Sequence, residues 1–455
     1  MSARLFGTDG VRGVANADLT PELAFRIGRA GAWVLAGDLD PHRPFVVARD
    51  TRLSGSMLEA AVLAGIASAG RNALSVGVAP TPALPLIVAA IGAAGGVMIS
   101  ASHNPVEYNG IKFFGADGYK LDDAREREIE SAIEDDAVPR PTHLAVGGAK
   151  TAHDLVERYF DALVEGGSDL SKLTVVVDAA FGAAYAIGPR ALAALGATVV
   201  ALHAEDDGSR INVDCGSTNT AALAARVREL AAADPRAQVV GVAFDGDADR
   251  VLFVDEGGAT LSGDHVMFAL AREKKRRGAL TGDTLVATVM SNVGLERALR
   301  AENIALVRAA VGDRYVLEAM RAGGFVFGGE QSGHVIDFTR NTTGDGPMTA
   351  VSILSLAARE GATLRELTAP VVVYPQILLN VGGVTPAVLA EPNVRRAVAE
   401  AEAELGERGR VLVRASGTEP LVRVMVEGDE DGLIHRLAER IAGEVRAGSS
   451  PARAL

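Results

Sequence analysis

Met98-Ile-Ser-Ala-Ser-His-Asn-Pro105, continuing through Glu107-Tyr-Asn-Gly-Ile-Lys112, is the stretch around which the chain is organised. The apolar run Gly96-Val-Met-Ile99 within it reads as a buried strand. It stops abruptly at small and polar residues, and Pro105 and Gly110 force turns. Ser102 is therefore expected on a loop at a strand end, with His103, Asn104 and Lys112 near it. A serine so placed is a candidate phosphoryl carrier. Ser100, two residues earlier and expected on the same side of the chain, is a rival nucleophile. No Gly-x-Ser-x-Gly elbow surrounds either serine, which argues against a hydrolase of that type.

Outward from this stretch, strands alternate with helices, the pattern of a mostly parallel sheet. Toward the N-terminus, Leu5-Phe-Gly-Thr-Asp-Gly-Val-Arg-Gly13 reads as a loop or tight turn. A helix is expected from about Thr20, because Pro21 suits a first turn and Leu23, Ala24, Ile27 and Ala30 share a face. A strand over 44–48 ends in Arg49-Asp-Thr-Arg52, and a helix over 54–68 and a strand over 73–76 follow. Apolar periodicity fades over 134–151. The pattern restarts with a helix through Tyr159 and Leu163, a strand over 173–177, and a strand over 239–244 that ends at Asp245-Gly-Asp-Ala-Asp-Arg250. A hairpin-like 251–255 leads to a helix near Asp264 and a strand over 285–290. That cycle closes at Phe325-Val-Phe-Gly-Gly-Glu-Gln-Ser-Gly-His334. Beyond Ala369, strands are expected over 371–374, 410–414 and 421–426, with helices around Ala397 and Ile434. The expectation is an α/β protein of three related mixed α/β domains, 1–150, 151–255 and 256–368, and a smaller α+β domain, 369–455, with a frayed tail from 448.

A chain of 455 residues fits about three or four domains. Hydrophobic residues make up 48% and charged residues 23%, the balance of a soluble globular protein. With 45 basic against 58 acidic residues, the net charge of −13 argues against nucleic acid or an anionic membrane as main partner. The single cysteine, Cys215, fits a reducing compartment. The opening residues lack a signal-peptide apolar segment. The longest apolar stretch, 84–99, is broken by Pro85, Gly92, Gly95 and Gly96 and falls short of the roughly 20 residues that span a bilayer. A cytoplasmic enzyme is the expected class.

Asp245, Asp247 and Asp249 repel one another unless a cation offsets them. Oxygen-only ligands suit a hard cation, Mg²⁺ or Ca²⁺. An EF-hand loop is excluded: Glu256 falls at its twelfth position, but Arg250 sits where it needs glycine, and strands flank the segment. In the loop 329–334, Glu330 and Ser332 are spaced to meet sugar hydroxyls together, and His334 is either a general acid/base or a packed histidine. In Arg414-Ala-Ser-Gly-Thr-Glu-Pro420, Ser416, Gly417 and Thr418 offer hydroxyls and successive backbone N–H groups, an anion-binding nest. Arg414 adds a bidentate partner and Arg423 can join from the next strand. No Walker-type nucleotide loop occurs.

Together, Ser100-Ala-Ser-His-Asn-Pro105, Asp245-Gly-Asp-Ala-Asp-Arg250, Gly329-Glu-Gln-Ser-Gly-His334 and Arg414-Ala-Ser-Gly-Thr-Glu-Pro420 resemble, in order and over essentially the whole chain, the motifs of the α-D-phosphohexomutases. Phe6-Gly-Thr-Asp-Gly-Val-Arg-Gly13, Gln331 and Val311-Gly-Asp-Arg-Tyr-Val316 are most similar to the bacterial branch that acts on glucosamine phosphates. The resemblance implies four domains around a central active-site cleft. It selects Ser102 over Ser100 as the phosphoserine and implies Mg²⁺ held by Asp245, Asp247, Asp249 and the Ser102 phosphate. Glu330 and Ser332 would hold the sugar. Arg414, Ser416, Gly417, Thr418 and Arg423 would hold the non-reacting phosphate, gripped by a fourth domain that releases and regrips. Arg12, Lys112, Arg250 and His334 match positions near the reacting phosphate. Lys112 and His334 are candidates for proton transfer, with Arg314 a third.

The implied reaction interconverts glucosamine 6-phosphate and glucosamine 1-phosphate through a 1,6-bisphosphate, supplying UDP-N-acetylglucosamine synthesis. Glucosamine 1,6-bisphosphate or glucose 1,6-bisphosphate would be the phosphorylating activator. A small-molecule sugar phosphate is the expected partner, and a homodimer the candidate assembly. The rival readings are a mutase for other hexose phosphates, a non-catalytic sugar-phosphate sensor, and a Mg²⁺-dependent phosphatase.

Overall fold

Short apolar runs such as Phe45-Val-Val-Ala-Arg49 and Leu173-Thr-Val-Val-Val-Asp178 become strands buried on both faces, as parallel sheets covered by helices require. The computed structural model describes residues 4–7, 9–37, 39–136, 138–416 and 421–448. It divides into two compact units, Met1–Thr288 with Ile304–Ala369, and Val289–Asn303 with Pro370–Leu455.

The first unit holds three sheets. In chain order the first contains β1 (Val11–Val14), β2 (Phe45–Arg49), β3 (Ala73–Val78), β4 (Gly95–Ile99), β5 (Tyr108–Gly115) and β6 (Ala149–Thr151). The second contains β7 (Leu173–Asp178), β8 (Thr198–Leu202), β9 (Gln238–Phe244), β10 (Val251–Val254) and β11 (Thr260–Leu261). The third contains β12 (Thr284–Thr288), β13 (Ala305–Ala309), β14 (Phe327–Gly329) and β15 (Val335–Asp337).

All three sheets share one plan. A central strand (β2, β7 or β12) pairs in parallel with the next strand on one side and with the third strand (β4, β9 or β14) on the other. The third strand then pairs antiparallel with its successor (β5, β10 or β15). The loops 100–107, 245–250 and 330–334 thus leave from equivalent points, the carboxyl end of the third strand where the sheet changes direction. Such switch points are where open α/β sheets place ligands.

One apolar cluster joins the regions of this unit, packing Val46, Leu84 and Val88 with Tyr159, Leu163, Ile187 and Met348. Inside it, the Tyr159 hydroxyl donates to Asp345 Oδ1 at 2.7 Å, so the buried phenol keeps a partner. The early helix runs Pro21–Ala36, with Thr20 as its N-cap accepting from Leu23 N–H.

The second unit holds an antiparallel sheet of β16 (Gln376–Gly382), β17 (Gly409–Ala415) and β18 (Leu421–Gly428), with β18 central. The helix Asp431–Gly448 buries Leu433, Ile434, Leu437, Ala438, Ile441, Ala442 and Val445, one face at helical spacing. Two strand expectations change here. Residues 371–374 are irregular, and the strand begins at Gln376. Pro370 and Pro375 bracket that β-branched run and each removes a ladder donor, while Tyr374 N–H goes to Asn292 Oδ1. The strand expected over 285–290 stops at Thr288, where the chain passes into the second unit.

Candidate active site

Ser102 follows β4 in the left-handed region, at φ 51°. Its Oγ donates to Asp245 Oδ2 at 2.6 Å. Ser100 goes elsewhere: its Oγ donates to Asp50 Oδ2 at 2.6 Å and accepts the Ser102 N–H at 2.9 Å. A strand's two-residue period would put both serines on one side. The left-handed turn at Ser102 breaks that period, and only Ser102 meets the acidic loop.

That loop leaves β9 through a turn in which Ala248 N–H donates to Asp245 O and Ala248 itself has φ 58°. Gly246 permits the approach, since a Cβ there would lie 2.6 Å from Ser102 O. Asp245, Asp247 and Asp249 are buried and can each offer a carboxylate oxygen within 4.8 Å of the others. Asp247 Oδ2 accepts from Thr81 Oγ1 at 2.7 Å and Lys112 Nζ at 3.0 Å. Asp247 Oδ1 and Asp249 Oδ1 are buried without a hydrogen-bond donor. Burial, and then the charges of Asp247 and Asp249, push the Asp245 carboxyl well above the ordinary carboxylate range. Buried, converging oxygens with unspent lone pairs fit a hard divalent cation.

Cationic side chains surround the trio. Lys112 Nζ bridges Asp247 Oδ2 at 3.0 Å and Asp9 Oδ2 at 2.9 Å. Burial opposes its charge, yet Asp247 and Asp9 raise its pKa. Arg12 pairs with Asp9, and its Nη1 lies 3.4 Å from Asn104 Oδ1. Arg250 donates its backbone N–H to Asp245 Oδ1 at 3.2 Å, and its Nε lies 3.9 Å from Asp249 Oδ1. His334 lies between carboxylates, Nδ1 3.6 Å from Asp249 Oδ1 and Nε2 3.8 Å from Asp313 Oδ2. Burial would lower its pKa, but Asp249 and Asp313 raise it. His103, beside Ser102, is instead pushed down to about 4 by burial and by Arg250 and Arg12.

Glu330 is buried after β14 and accepts Gly312 N–H at 3.2 Å. Burial raises its pKa first, and His334 partly opposes that. Ser332 is half-buried in the same turn. Three charged residues that sequence reasoning did not single out complete the network. Lys120 Nζ lies 2.9 Å from Asp9 Oδ1 and also pairs with Asp313. Asp9 and Asp313 carried a faint signal, each standing next to a glycine in a motif already noted. Lys120 carried none. Arg314 turns toward the helix Asp123–Glu134, with Nη1 2.7 Å from Asp123 Oδ1 and Nη2 3.0 Å from Leu121 O.

Arg414, Ser416 and Arg423 belong to the second unit. Arg414 and Arg423 are directly opposed across β17 and β18. Burial first, and Arg423 second, hold the Arg414 pKa below the usual arginine value. Opposed like charges destabilise a sheet, so this pair fits an anion between them. Ser416 N–H donates to Leu421 O at 2.9 Å. Gly417 and Thr418 lie outside the described residues.

Four family profiles match the chain in order. They are the phosphoglucomutase/phosphomannomutase alpha/beta/alpha domains I over residues 3–139, II over 157–258 and III over 262–374, and the C-terminal domain over 378–444. The chain is 48% identical over 449 residues to a phosphoglucosamine mutase of Thermoanaerobacter pseudethanolicus, covering 97% of this chain and 98% of that one. It is 52% identical over 448 residues to the phosphoglucosamine mutase of Saccharopolyspora erythraea, covering 98% and 99%. Among solved structures, a phosphoglucomutase/phosphomannomutase family protein of Burkholderia thailandensis superposes with a TM-score of 0.83 at 25% identity, covering 99% and 98%. An Aspergillus fumigatus N-acetylphosphoglucosamine mutase, solved with GlcNAc-6P and magnesium, shares the fold at a TM-score of 0.66 and 17% identity, covering 98% and 96%. A serine aimed into a buried acidic trio, on three like-built sheets, therefore sits in a chain that belongs to the phosphoglucomutase/phosphomannomutase family, the α-D-phosphohexomutases.

Proposed function

We propose that this enzyme interconverts glucosamine 6-phosphate and glucosamine 1-phosphate through phosphorylated Ser102. The observation that carries the reading is Ser102 Oγ at 2.6 Å from Asp245, in a chain about half identical to phosphoglucosamine mutases over nearly its full length. In the first half-reaction the Ser102 Oγ–P bond breaks as phosphorus bonds O1 of glucosamine 6-phosphate, whose hydroxyl proton passes to the enzyme. The resulting 1,6-bisphosphate turns over. Its 6-phosphoryl then returns to Ser102 while O6 regains a proton, releasing glucosamine 1-phosphate.

Lys112 and His334, buried beside the trio, are the proposed proton carriers. Arg12 and Arg250 hold the reacting phosphate, and Glu330 and Ser332 the sugar. Arg414, Ser416, Gly417, Thr418 and Arg423 hold the other phosphate. Mg²⁺, bound by Asp245, Asp247, Asp249 and the Ser102 phosphate, would offset charge on the transferring group. A hexose 1,6-bisphosphate restores Ser102 when its phosphoryl group is lost. Among the described residues, no helix is long and apolar enough to cross a membrane. Free, buried Cys215 fits a cytoplasmic setting.

The test pairs peptide mass spectrometry with turnover of glucosamine 1-phosphate and glucose 1-phosphate. Phosphate at Ser102, preference for the glucosamine substrate and loss of activity in Ser102→Ala are expected. Clear preference for glucose would move the chain to the phosphoglucomutase/phosphomannomutase branch. An active Ser102→Ala enzyme would remove the phosphoserine mechanism.

A further inference from the structure

A serine does not hold a left-handed conformation by its own preference, so neighbouring groups must fix Ser102. Both of its backbone polar groups are taken by side chains. Ser100 Oγ accepts its N–H. Its carbonyl accepts from Arg52 Nη2 at 3.0 Å and Asn212 Nδ2 at 2.9 Å.

Arg52 lies just past β2, and its side chain is fully buried. Nε donates to Asp50 Oδ2 at 3.0 Å. Nη1 donates to the carbonyls of Pro105 at 2.5 Å and Tyr108 at 2.9 Å. Nη2 donates to those of Ser102 and Asn104, the latter at 2.7 Å. A guanidinium has five N–H donors in a fixed fork. Here four go to carbonyls of one loop, and the fifth goes to the carboxylate that also holds Ser100. Lysine offers three donors from a single point and cannot span this set. Asn212, itself at φ 61°, is anchored by its backbone N–H on Ala180 O, and its Nδ2 donates to the carbonyls of Ser102 and, at 3.4 Å, Asn104.

We propose that Arg52, with Asn212, is a positioning residue for the phosphoryl carrier. It holds loop 102–108 so that Ser102 Oγ stays aimed at the acidic trio through both half-reactions. This rests on the phosphoserine reading above.

The experiment is a single turnover. Wild type, Arg52→Lys and Asn212→Ala are loaded with a radiolabelled phosphoryl group from glucose 1,6-bisphosphate and checked for folding by circular dichroism. Each is then mixed with excess glucosamine 6-phosphate. Only labelled molecules are read, so a smaller folded fraction leaves the rate constant unchanged. Transfer from Ser102 is expected to slow on the order of 100-fold in Arg52→Lys, the scale of a 1 Å misplacement, and about tenfold in Asn212→Ala. KM for the sugar phosphate should stay within about threefold of wild type. A folded Arg52→Lys enzyme that transfers at the wild-type rate overturns the proposal. If Arg52→Lys does not fold, Asn212→Ala decides in the same way. Wild type that never takes up label refutes the phosphoserine reading and the positioning role together; labelled wild type with unaffected variants refutes the positioning role alone.

Discussion

Three buried carboxylates with oxygens within 4.8 Å of one another are a liability until a cation joins them. Asp245 bears most of that cost, because burial and both neighbours disfavour its charge. Asp245→Asn keeps the shape and removes one charge. In chelator-treated protein the variant should melt at or above wild type. Excess Mg²⁺ should reverse the order: wild type gains about 2.7 kcal/mol at a hundredfold excess over Kd, and the variant gains little. Thermal scans with and without Mg²⁺ check this; a variant that keeps the full Mg²⁺ shift removes Asp245 from the ligand set. The trio was readable from sequence because its three members are local in the chain. Of the charged groups around it, Lys112, Arg250 and His334 were placed there only through the family resemblance, and Lys120 and Asp313 were not singled out at all. Lys120 and Asp313 meet only through tertiary packing, and the left-handed turn that separates Ser102 from Ser100 leaves no mark in residue spacing.

Elements were legible where apolar runs were bounded by polar turns, as with β4 and β9. They were misread where β-branched residues lacked backbone donors on either side, as over 371–374 between two prolines. The β17–β18 hairpin shows what a strand assignment alone omits. Sequence suggests that Arg414 and Arg423 serve one anion, and the register adds that they stand directly opposed. Without an anion this cross-strand pair works against the sheet. Arg423→Gln removes one of these two opposed cations. It should lose much of the stabilisation that inorganic phosphate gives wild type and raise KM for the sugar phosphate about tenfold or more. Melting in the presence and absence of phosphate, together with KM, tests the pair. An unchanged KM would place the anion elsewhere.

Across the whole chain, two kinds of cohesion are visible. In the first unit one apolar cluster packs Val46, Val76, Met98 and Phe114 of the first sheet against Tyr159, Leu163, Ile187 and Met348, while the second and third sheets carry clusters of their own around Val176 and Val286. The second unit has a core of its own, built from residues between Ile377 and Val445. Sequence indicated three comparable strand openings, but not that Ser102, Asp245 and Glu330 follow strands at the same place in each sheet. That equivalence exists only once parallel neighbours are paired. Separate cores make a local prediction. Leu437 is fully buried against the fourth sheet, and Leu437→Ala should cost about 2–5 kcal/mol, depending on how far the helix collapses into the gap. With separate cores, hydrogen exchange should quicken in β16, β17, β18 and the helix Asp431–Gly448, while β2, β7 and β12 keep wild-type protection. The Ser102 phosphoryl group should still load, because its trio and clamp draw nothing from this core. Equal acceleration in all four sheets would show that the two units unfold as one, and the stability of the catalytic loops would then depend on the C-terminal core.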